Sequence, residues 1–210
     1  MKTSVITGDI INSRSVLDQG IWLKPLKKAL QFITDDDSKY DIYRGDSFQI
    51  EVEDIKTCFK KAIYLKASIK SIKGFNVRLA IGIGDKTYRA NNITQSNGSA
   101  FLNSGSSLDF MKRTKINLRI KADLKPNHNL YDFNEIFNLY FKFASIIMDD
   151  WSPNSAEAVK ILMETEFGNQ KLIAKKIGIN QDAVSKRLKR ANIDELLELE
   201  QLFEQQVILL

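Results

Sequence analysis

The sequence contains only one cysteine and one histidine in 210 residues, so thiol-based and histidine-based chemistry have few candidate residues. Cys58 cannot form an internal disulfide, and we interpret it as a small buried thiol in a predicted helix. His128 lies in a predicted connector, so we do not expect a mechanism based on histidine.

Long apolar runs are also missing. No run of 18 apolar residues occurs, so no segment is predicted to span a bilayer. Near the start of the chain, Asp9 interrupts the stretch "MKTSVITGDII", where a signal peptide would keep its apolar residues together. These absences predict a cytoplasmic protein with no membrane partner.

The charge, by contrast, is concentrated. The chain has a net charge of +5, and residues 171–190 alone carry seven basic residues against one acidic residue. The last twenty residues carry five acidic residues and no basic one. A localised basic stripe of this kind is typical of a nucleic-acid footprint. The alternative is that the stripe is a solvated surface or a protein-docking face.

The hydrophobic pattern predicts an α+β domain followed by helices. The first 122 residues read β-α-β-β-α-β, with one further helix and strand. This order predicts an antiparallel sheet with helices on one face, which is the ferredoxin-like or palm arrangement. The predicted strands are 2–10, 39–44, 46–53, 75–84 and 115–122, and the predicted helices are 17–33, 55–72 and 98–112.

Breaks in the pattern divide the chain into three parts. Pro126 interrupts a polar stretch, and Ser152 followed by Pro153 is a helix N-cap with proline at the first helical position. We therefore predict a palm domain over residues 1–125, a connecting helix over 126–150 and an all-α domain over 151–210.

Two Gly-Asp pairs mark a candidate metal site. Asp9 ends the first strand in "TGDIINSR", and Asp46 stands at the hairpin tip in "RGDSFQ". In a β-α-β-β sheet these two carboxylates can meet at one edge, where Mg²⁺ or Mn²⁺ would offset their repulsion. The carbonyl of Ile10 could complete the ligand shell. The alternative is that both pairs are turns, since glycine and aspartate dominate turns for backbone reasons.

These motifs resemble the catalytic domain of class III nucleotidyl cyclases, and "VRLAIGIG" (77–84) is similar to a strand of that domain. More closely, the whole chain resembles the SatD family. The motifs that carry this resemblance are "GDIINSR" (8–14), "RGDSFQ" (44–49), "LAIGIG" (79–84), "SNGSAFLNSG" (96–105) and a C-terminal helix-turn-helix. The resemblance implies a cyclase-like fold that binds a metal and a nucleotide.

The chain departs from the cyclase pattern at two positions. Ile42 stands where cyclases carry a base-selecting lysine, and Ser107 stands where they carry an arginine that stabilises the transition state. Arg44 or Arg78 could substitute for that arginine. Whether the chain is an enzyme therefore stays open.

A second stretch, "SNGSAFLNSGSS" (96–107), is a candidate phosphate cradle. A glycine at a helix start exposes backbone N–H groups, and serine hydroxyls add donors. The alternative is a plain loop with a serine N-cap. The predicted nucleotide-binding residues are Arg44, Ser96, Gly98, Ser99 and Asn103.

The segment 169–193 has the pattern of a helix-turn-helix and resembles "IAxxLGIxxxxVSxRL" segments of bacterial DNA-binding proteins. Gly178 is predicted to make the turn, and polar residues at the start of the second helix are placed to read base edges. Basic residues around them would contact phosphates. The predicted DNA-binding residues are Lys171, Lys175, Lys176, Gln181, Ser185, Lys186, Arg187, Lys189 and Arg190.

The acidic, leucine-rich segment 194–210 either forms a dimerisation helix or packs on its own domain. A homodimer is the state we expect, because helix-turn-helix proteins usually bind paired half-sites. The leading hypothesis is a SatD-type DNA-binding regulator with a cyclase-like domain that binds a metal and a nucleotide. The alternatives are an active nucleotidyl cyclase or related phosphoryl-transfer enzyme, and a cyclase fold kept only as a protein-interaction scaffold.

Overall fold

A computed structural model describes residues 2–123 and 132–210. These residues form five β-strands and eight α-helices. The strands are β1 (Lys2–Ile11), β2 (Tyr40–Tyr43), β3 (Ser47–Val52), β4 (Asn76–Asp85) and β5 (Leu118–Ala122). The helices are α1 (Gly20–Ile33), α2 (Cys58–Lys70), α3 (Ser99–Thr114), α4 (Phe133–Asp149), α5 (Pro153–Glu164), α6 (Gln170–Ile177), α7 (Gln181–Arg190) and α8 (Ile193–Val207).

The five strands form one mixed sheet in the order β2-β3-β1-β4-β5. The central strand β1 pairs with β3 and β4 in antiparallel fashion, as predicted. The prediction of a wholly antiparallel sheet is wrong at β5, which runs parallel to β4. The reason is that helix α3 connects these two strands and returns the chain to the same end of the sheet, as a crossover does.

Helices cover both faces of the sheet, so the prediction of helices on one face is also wrong. Leu79, Ile81 and Ile83 of β4 share the main core with α2, whereas Ala80 packs against α3 on the other face. The close approach of α3 depends on small residues, since a Cβ on Gly82 would stand 2.1 Å from the carbonyl oxygen of Ala100. Strand β4 is therefore buried from both sides.

Helix α4 covers the edge strand β5. The side chain of Asn134 accepts from the amide of Ala122 at 2.7 Å and donates to its carbonyl at 3.0 Å. Asn138 makes the same pair of bonds to Ile120, at 3.0 and 2.8 Å. One turn of helix thus places two side-chain amides where a neighbouring strand would lie, and they form hydrogen bonds with the exposed backbone N–H and C=O groups of β5.

The C-terminal helices contribute to the same core as the sheet and α2. Phe203 of α8 packs against Phe59 of α2 at 5.7 Å between ring centroids and against Phe137 of α4 at 5.3 Å. Of the two alternatives for the acidic segment, packing on its own chain is the one observed for Phe203 and Val207, which are fully buried. The predicted boundary at residue 125, Pro126 and His128 lie outside the described residues.

Candidate functional site

Asp9 lies at the end of β1, on the face of the sheet that α3 covers. It stands directly opposite Arg78 of β4, and its Oδ2 is 2.9 Å from the guanidinium Nη1. Asp9 is 8% exposed, and its other oxygen, Oδ1, is buried with no hydrogen-bond partner among the described residues. A buried carboxylate oxygen without a donor is rare in folded proteins, and this oxygen is free to accept from a water or to bind a cation.

The hairpin tip is fixed beside the end of β1. The amide of Ile10 donates to the carbonyl of Asp46 at 3.0 Å, and the Ser13 hydroxyl donates to Oδ2 of Asp46 at 2.5 Å. Arg44 and Gly45 turn the hairpin with φ of 52° and 87°. A positive φ is uncommon for a residue other than glycine, so the tip is held in a specific and strained conformation.

This arrangement fits the oxygen ligands that Mg²⁺ or Mn²⁺ prefers. The register places Asp9 opposite Ser47, so Asp46 is the next residue toward the tip. Because the N–H and C=O of one strand residue point to the same neighbour, the carbonyl of Ile10 faces Asp46 as well. The described residues contain no cluster of three or more histidine, cysteine, aspartate or glutamate side chains suited to a metal. Two carboxylates, a carbonyl and waters would suffice for Mg²⁺.

Tyr43 of β2 lies in the same row of the sheet as Asp9, since both are in register with Ser47 of β3. Burial raises the pKa of the Tyr43 phenol, and the negative charges of Asp109 and Asp9 add to that rise while Arg44 opposes it. The Ser107 hydroxyl on α3 is buried with no partner among the described residues. Tyr43 is therefore within electrostatic range of Asp9, a relation that the sequence motifs did not predict.

The start of the predicted phosphate cradle, at Gly98 and Ser99, lies at the other end of the sheet. Asp9 pairs with Arg78 at the start of β4, whereas a Cβ on Gly98 would stand 2.0 Å from the carbonyl oxygen of Asp85 at the end of that strand. Seven residues of strand separate Arg78 from Asp85, or about 23 Å. Of the predicted nucleotide-binding residues, the structure therefore brings only Arg44 close to the two aspartates.

The polar side chains of this distant segment hold neighbouring backbone. The Ser99 hydroxyl accepts from the amide of Asp85 at 2.8 Å, and that of Ser96 accepts from the amide of Ala90 at 3.1 Å. Asn103 donates to the carbonyl of Ile83 at 3.0 Å and to the Asp123 carboxylate at 2.9 Å. These groups give the segment a structural task, while its role in nucleotide binding stays a prediction.

Helices α6 and α7 present a basic surface. The chain turns between them at Gly178, with φ of 79°, and both helices begin with an asparagine cap. Asn169 accepts from the amide of Leu172 at 3.0 Å, and Asn180 accepts from that of Ala183 at 2.8 Å. Inward-facing residues anchor the pair to the core, and these are Ile173, Ala174, Val184 and Leu188.

Eight of the nine predicted DNA-binding residues are exposed on this surface. The exception is Arg187, which is half-buried and forms an ion pair with Glu157 of α5 at 2.9 Å. An arginine engaged in this way fixes α7 to α5 and is less available to a phosphate. Gln181 and Ser185 lie in the N-terminal half of α7, on its outward side.

Sequence reasoning missed the role of two residues. The Ser13 hydroxyl donates to the carboxylate of Asp46. Ser13 is part of the motif "GDIINSR", which was the signal available in the sequence. Arg78 was weighed as a substitute for a transition-state arginine, but here it pairs with Asp9. The alternation of β4 indicates that Arg78 shares a face with Ala80. Only the register of β1 against β4 shows that Asp9 is its neighbour.

The fold and the site define an α+β protein with a mixed five-stranded sheet and a helical C-terminal part. Residues 4–203 match the SatD family, and the chain belongs to that family, as the sequence motifs predicted. No curated protein matches the chain.

One solved structure to which the chain is similar is described as the active GGEEF domain of a diguanylate cyclase from Vibrio cholerae. The identity is 18% and the TM-score 0.40, over 60% of this chain and 85% of that one. Within the described residues, no helix is long and apolar enough to cross a membrane.

Proposed function

We propose that this SatD-family protein is a DNA-binding regulator. Helices α6 and α7 would act as a helix-turn-helix that contacts DNA, and the α+β part would hold Mg²⁺ or Mn²⁺ between Asp9 and Asp46, with a nucleotide as a further ligand. The observation that carries the DNA proposal is the exposure of six cationic side chains on two adjacent helices, which are anchored to the core by Ile173, Ala174, Val184 and Leu188.

The distribution of residues on α7 supports groove entry. Gln181 and Ser185 stand at its outward N-terminal side, where a recognition helix reads base edges. Lys186, Lys189 and Arg190 follow toward the C-terminus and are exposed to contact phosphates. The cap at Asn180 holds the start of the helix in place, which fixes the direction in which these side chains leave the surface.

A salt series tests this proposal. Binding of the full chain to fluorescent duplex DNA is measured by anisotropy, and log K is plotted against log salt. Each phosphate contact contributes about −0.9 to the slope, so Lys175→Gln with Lys186→Gln is expected to reduce it by about 2.

The matched control is Lys112→Gln with Arg113→Gln on α3, an exposed pair on the sheet face opposite the main core. This control is expected to leave the slope unchanged. An equal reduction of the slope in both double variants, or no DNA binding by the wild type at low salt, would contradict the DNA-binding proposal.

A homodimer would present two copies of α7 to paired half-sites. Mass measured by light scattering, with and without DNA, tests this part of the proposal. A monomer in both states would contradict it.

A second candidate, metal-dependent phosphoryl transfer of the nucleotidyl cyclase kind, is favoured by one observation. The unpartnered Oδ1 of Asp9 lies beside the hairpin that carries Asp46, in a region where a cation could neutralise phosphates. Incubation with Mn²⁺ and ATP or GTP, followed by chromatography of the products, tests this candidate. Turnover by the wild type that disappears in Asp46→Asn would support it, and absence of products with either nucleotide would refute it.

A further inference from the structure

We propose that Arg78 is a built-in competitor of the divalent cation at Asp9. In the metal-free protein the guanidinium neutralises the carboxylate, and cation binding loosens this ion pair. The inference rests on the proposed cation site and goes beyond it, because it assigns a regulatory role to a residue that is not itself a ligand.

Geometry makes the competition unavoidable. Asp9 and Arg78 are directly opposite each other in the β1–β4 ladder, and such side chains have Cβ atoms about 5 Å apart. The Nη1 group occupies one oxygen of Asp9 at 2.9 Å, and the other oxygen has no partner among the described residues. Any cation that binds Asp9 therefore lies close to a fixed positive charge.

Burial strengthens this effect. Asp9 is 8% exposed and the Arg78 side chain is 23% exposed, so water screens the charges less than at an open surface. The Nε of Arg78 is itself buried without a hydrogen-bond partner among the residues described. The arginine is therefore held at Asp9 by one observed bond, and a competing cation has little else to displace.

The same ion pair stabilises the protein when no cation is bound. Without Arg78, the carboxylate of Asp9 would be buried with no counterion, which is strongly destabilising. Replacing Arg78 should thus weaken the metal-free protein and strengthen cation binding. A residue that only orients Asp9 for the metal would show the opposite effect on binding.

The experiment measures Mn²⁺ binding to the full chain from the electron paramagnetic resonance signal of free Mn²⁺. Arg78→Gln is expected to bind Mn²⁺ about tenfold more tightly than the wild type, whereas Arg78→Lys, which keeps the charge, is expected to stay near it. The thermal midpoint of Arg78→Gln should be lower without Mn²⁺ and should rise more when Mn²⁺ is added.

The matched control is Lys86→Gln. Lys86 forms an ion pair with the buried Glu51 at 2.5 Å on the same face of the sheet, at the far end of β4. Lys86→Gln breaks a comparable ion pair but leaves Asp9 and its surroundings unchanged. The Mn²⁺ affinity of this variant should therefore match that of the wild type. A folded Arg78→Gln with equal or weaker Mn²⁺ affinity than the wild type overturns the competition.

The outcomes separate this inference from the cation site itself. If neither the wild type nor Arg78→Gln binds Mn²⁺, the cation site proposed at Asp9 and Asp46 is wrong. If Arg78→Gln fails to fold, a Mg²⁺ titration of the wild-type protein tests the proposal instead. The Nε–Hε nuclear magnetic resonance signal of Arg78, assigned with Arg78→Lys, should shift as Mg²⁺ is titrated, and a signal that does not move overturns the proposal.

Discussion

Replacing Asp149 with asparagine removes the counterion of a fully buried ammonium group. Lys66 of α2 is 1% exposed, and its Nζ donates to the Asp149 carboxylate at the end of α4 and to the carbonyl of Val77 at 3.1 Å. This contact joins α2, β4 and α4 at one point. We expect Asp149→Asn to be among the most destabilising single polar substitutions in the protein.

Every side chain around the Asp149 carboxylate donates to it. Asn76 and Asn117 donate at 2.8 and 2.9 Å, and the Ser145 hydroxyl donates at 3.0 Å. An asparagine at position 149 would turn an NH₂ group toward this ring of donors, because only one of its two terminal atoms accepts. The substitution therefore leaves Lys66 without a counterion and at least one further donor without a partner.

The expected magnitude follows from this geometry. Removing one partner of a buried ion pair costs about 3–5 kcal/mol in the free energy of unfolding. The Asp149 side chain is 29% exposed, which places the expected cost at the lower end, about 3 kcal/mol. At 2–4 °C per kcal/mol for a chain of this size, the thermal midpoint should fall by about 6–12 °C.

The pH dependence provides a sharper check. Burial lowers the pKa of Lys66 to about 8 from 10.5, and the charge of Asp149 limits the fall. Between these two values the unfolded chain keeps a proton that the folded chain has released, so wild-type stability rises with pH across that window. Without the carboxylate the folded pKa of Lys66 falls further, and the rise begins at lower pH. The difference in the free energy of unfolding between wild type and Asp149→Asn should therefore narrow as pH rises toward about 8 and then stay constant.

Urea unfolding at about pH 6 and about pH 8, followed by circular dichroism, measures this gap. The neighbouring Asp150→Asn, an exposed position, is the control and should change stability by less than about 0.5 kcal/mol. The double variant Lys66→Met with Asp149→Asn should be more stable than Asp149→Asn alone, because it removes the unpaired buried charge. A double variant less stable than Asp149→Asn, or a gap that widens with pH, would refute this reasoning.

Three further predictions use the same unfolding assay or a simple labelling assay. Gly82→Ala should lower the free energy of unfolding by about 3 kcal/mol, because its Cβ would meet the α3 backbone at 2.1 Å. Gly45→Ala, with φ of 87° and no atom within 4 Å, should lower it by about 1 kcal/mol, and equal losses would contradict the close-packing argument. Trp151→Phe should cost about 2 kcal/mol, since it removes the bond at 2.8 Å from the indole N–H to the carbonyl of Ala191, and an unchanged urea midpoint would show that this bond is dispensable. Burial raises the pKa of the Cys58 thiol to about 12, so a thiol reagent should label it only after unfolding; rapid labelling of the folded protein would contradict its burial.

Local patterns were sufficient for much of the architecture. The alternation of Val77, Leu79, Ile81 and Ile83 predicts β4, and the cap at Ser152 predicts the start of α5 at Pro153, because strand and helix periodicity depend on near neighbours in the chain. Asp9 and Asp46 were predicted to approach each other from the strand order alone, and the bond from Ile10 to the Asp46 carbonyl brings the hairpin tip to the end of β1. Whether they bind a metal stays a prediction.

The sequence by itself determined the element order, the SatD motifs and the basic stripe that α6 and α7 expose. Only the tertiary structure decided which side chains meet across those elements. Register decided that Arg78 neutralises Asp9, and packing of α7 on α5 decided that Arg187 pairs with Glu157. The parallel course of β5, the position of α3 on the second face and the distance from Gly98 to Asp9 were settled in the same way. The physical reason is that these contacts join residues far apart in the chain, whereas sequence periodicity reports only the environment of each element by itself.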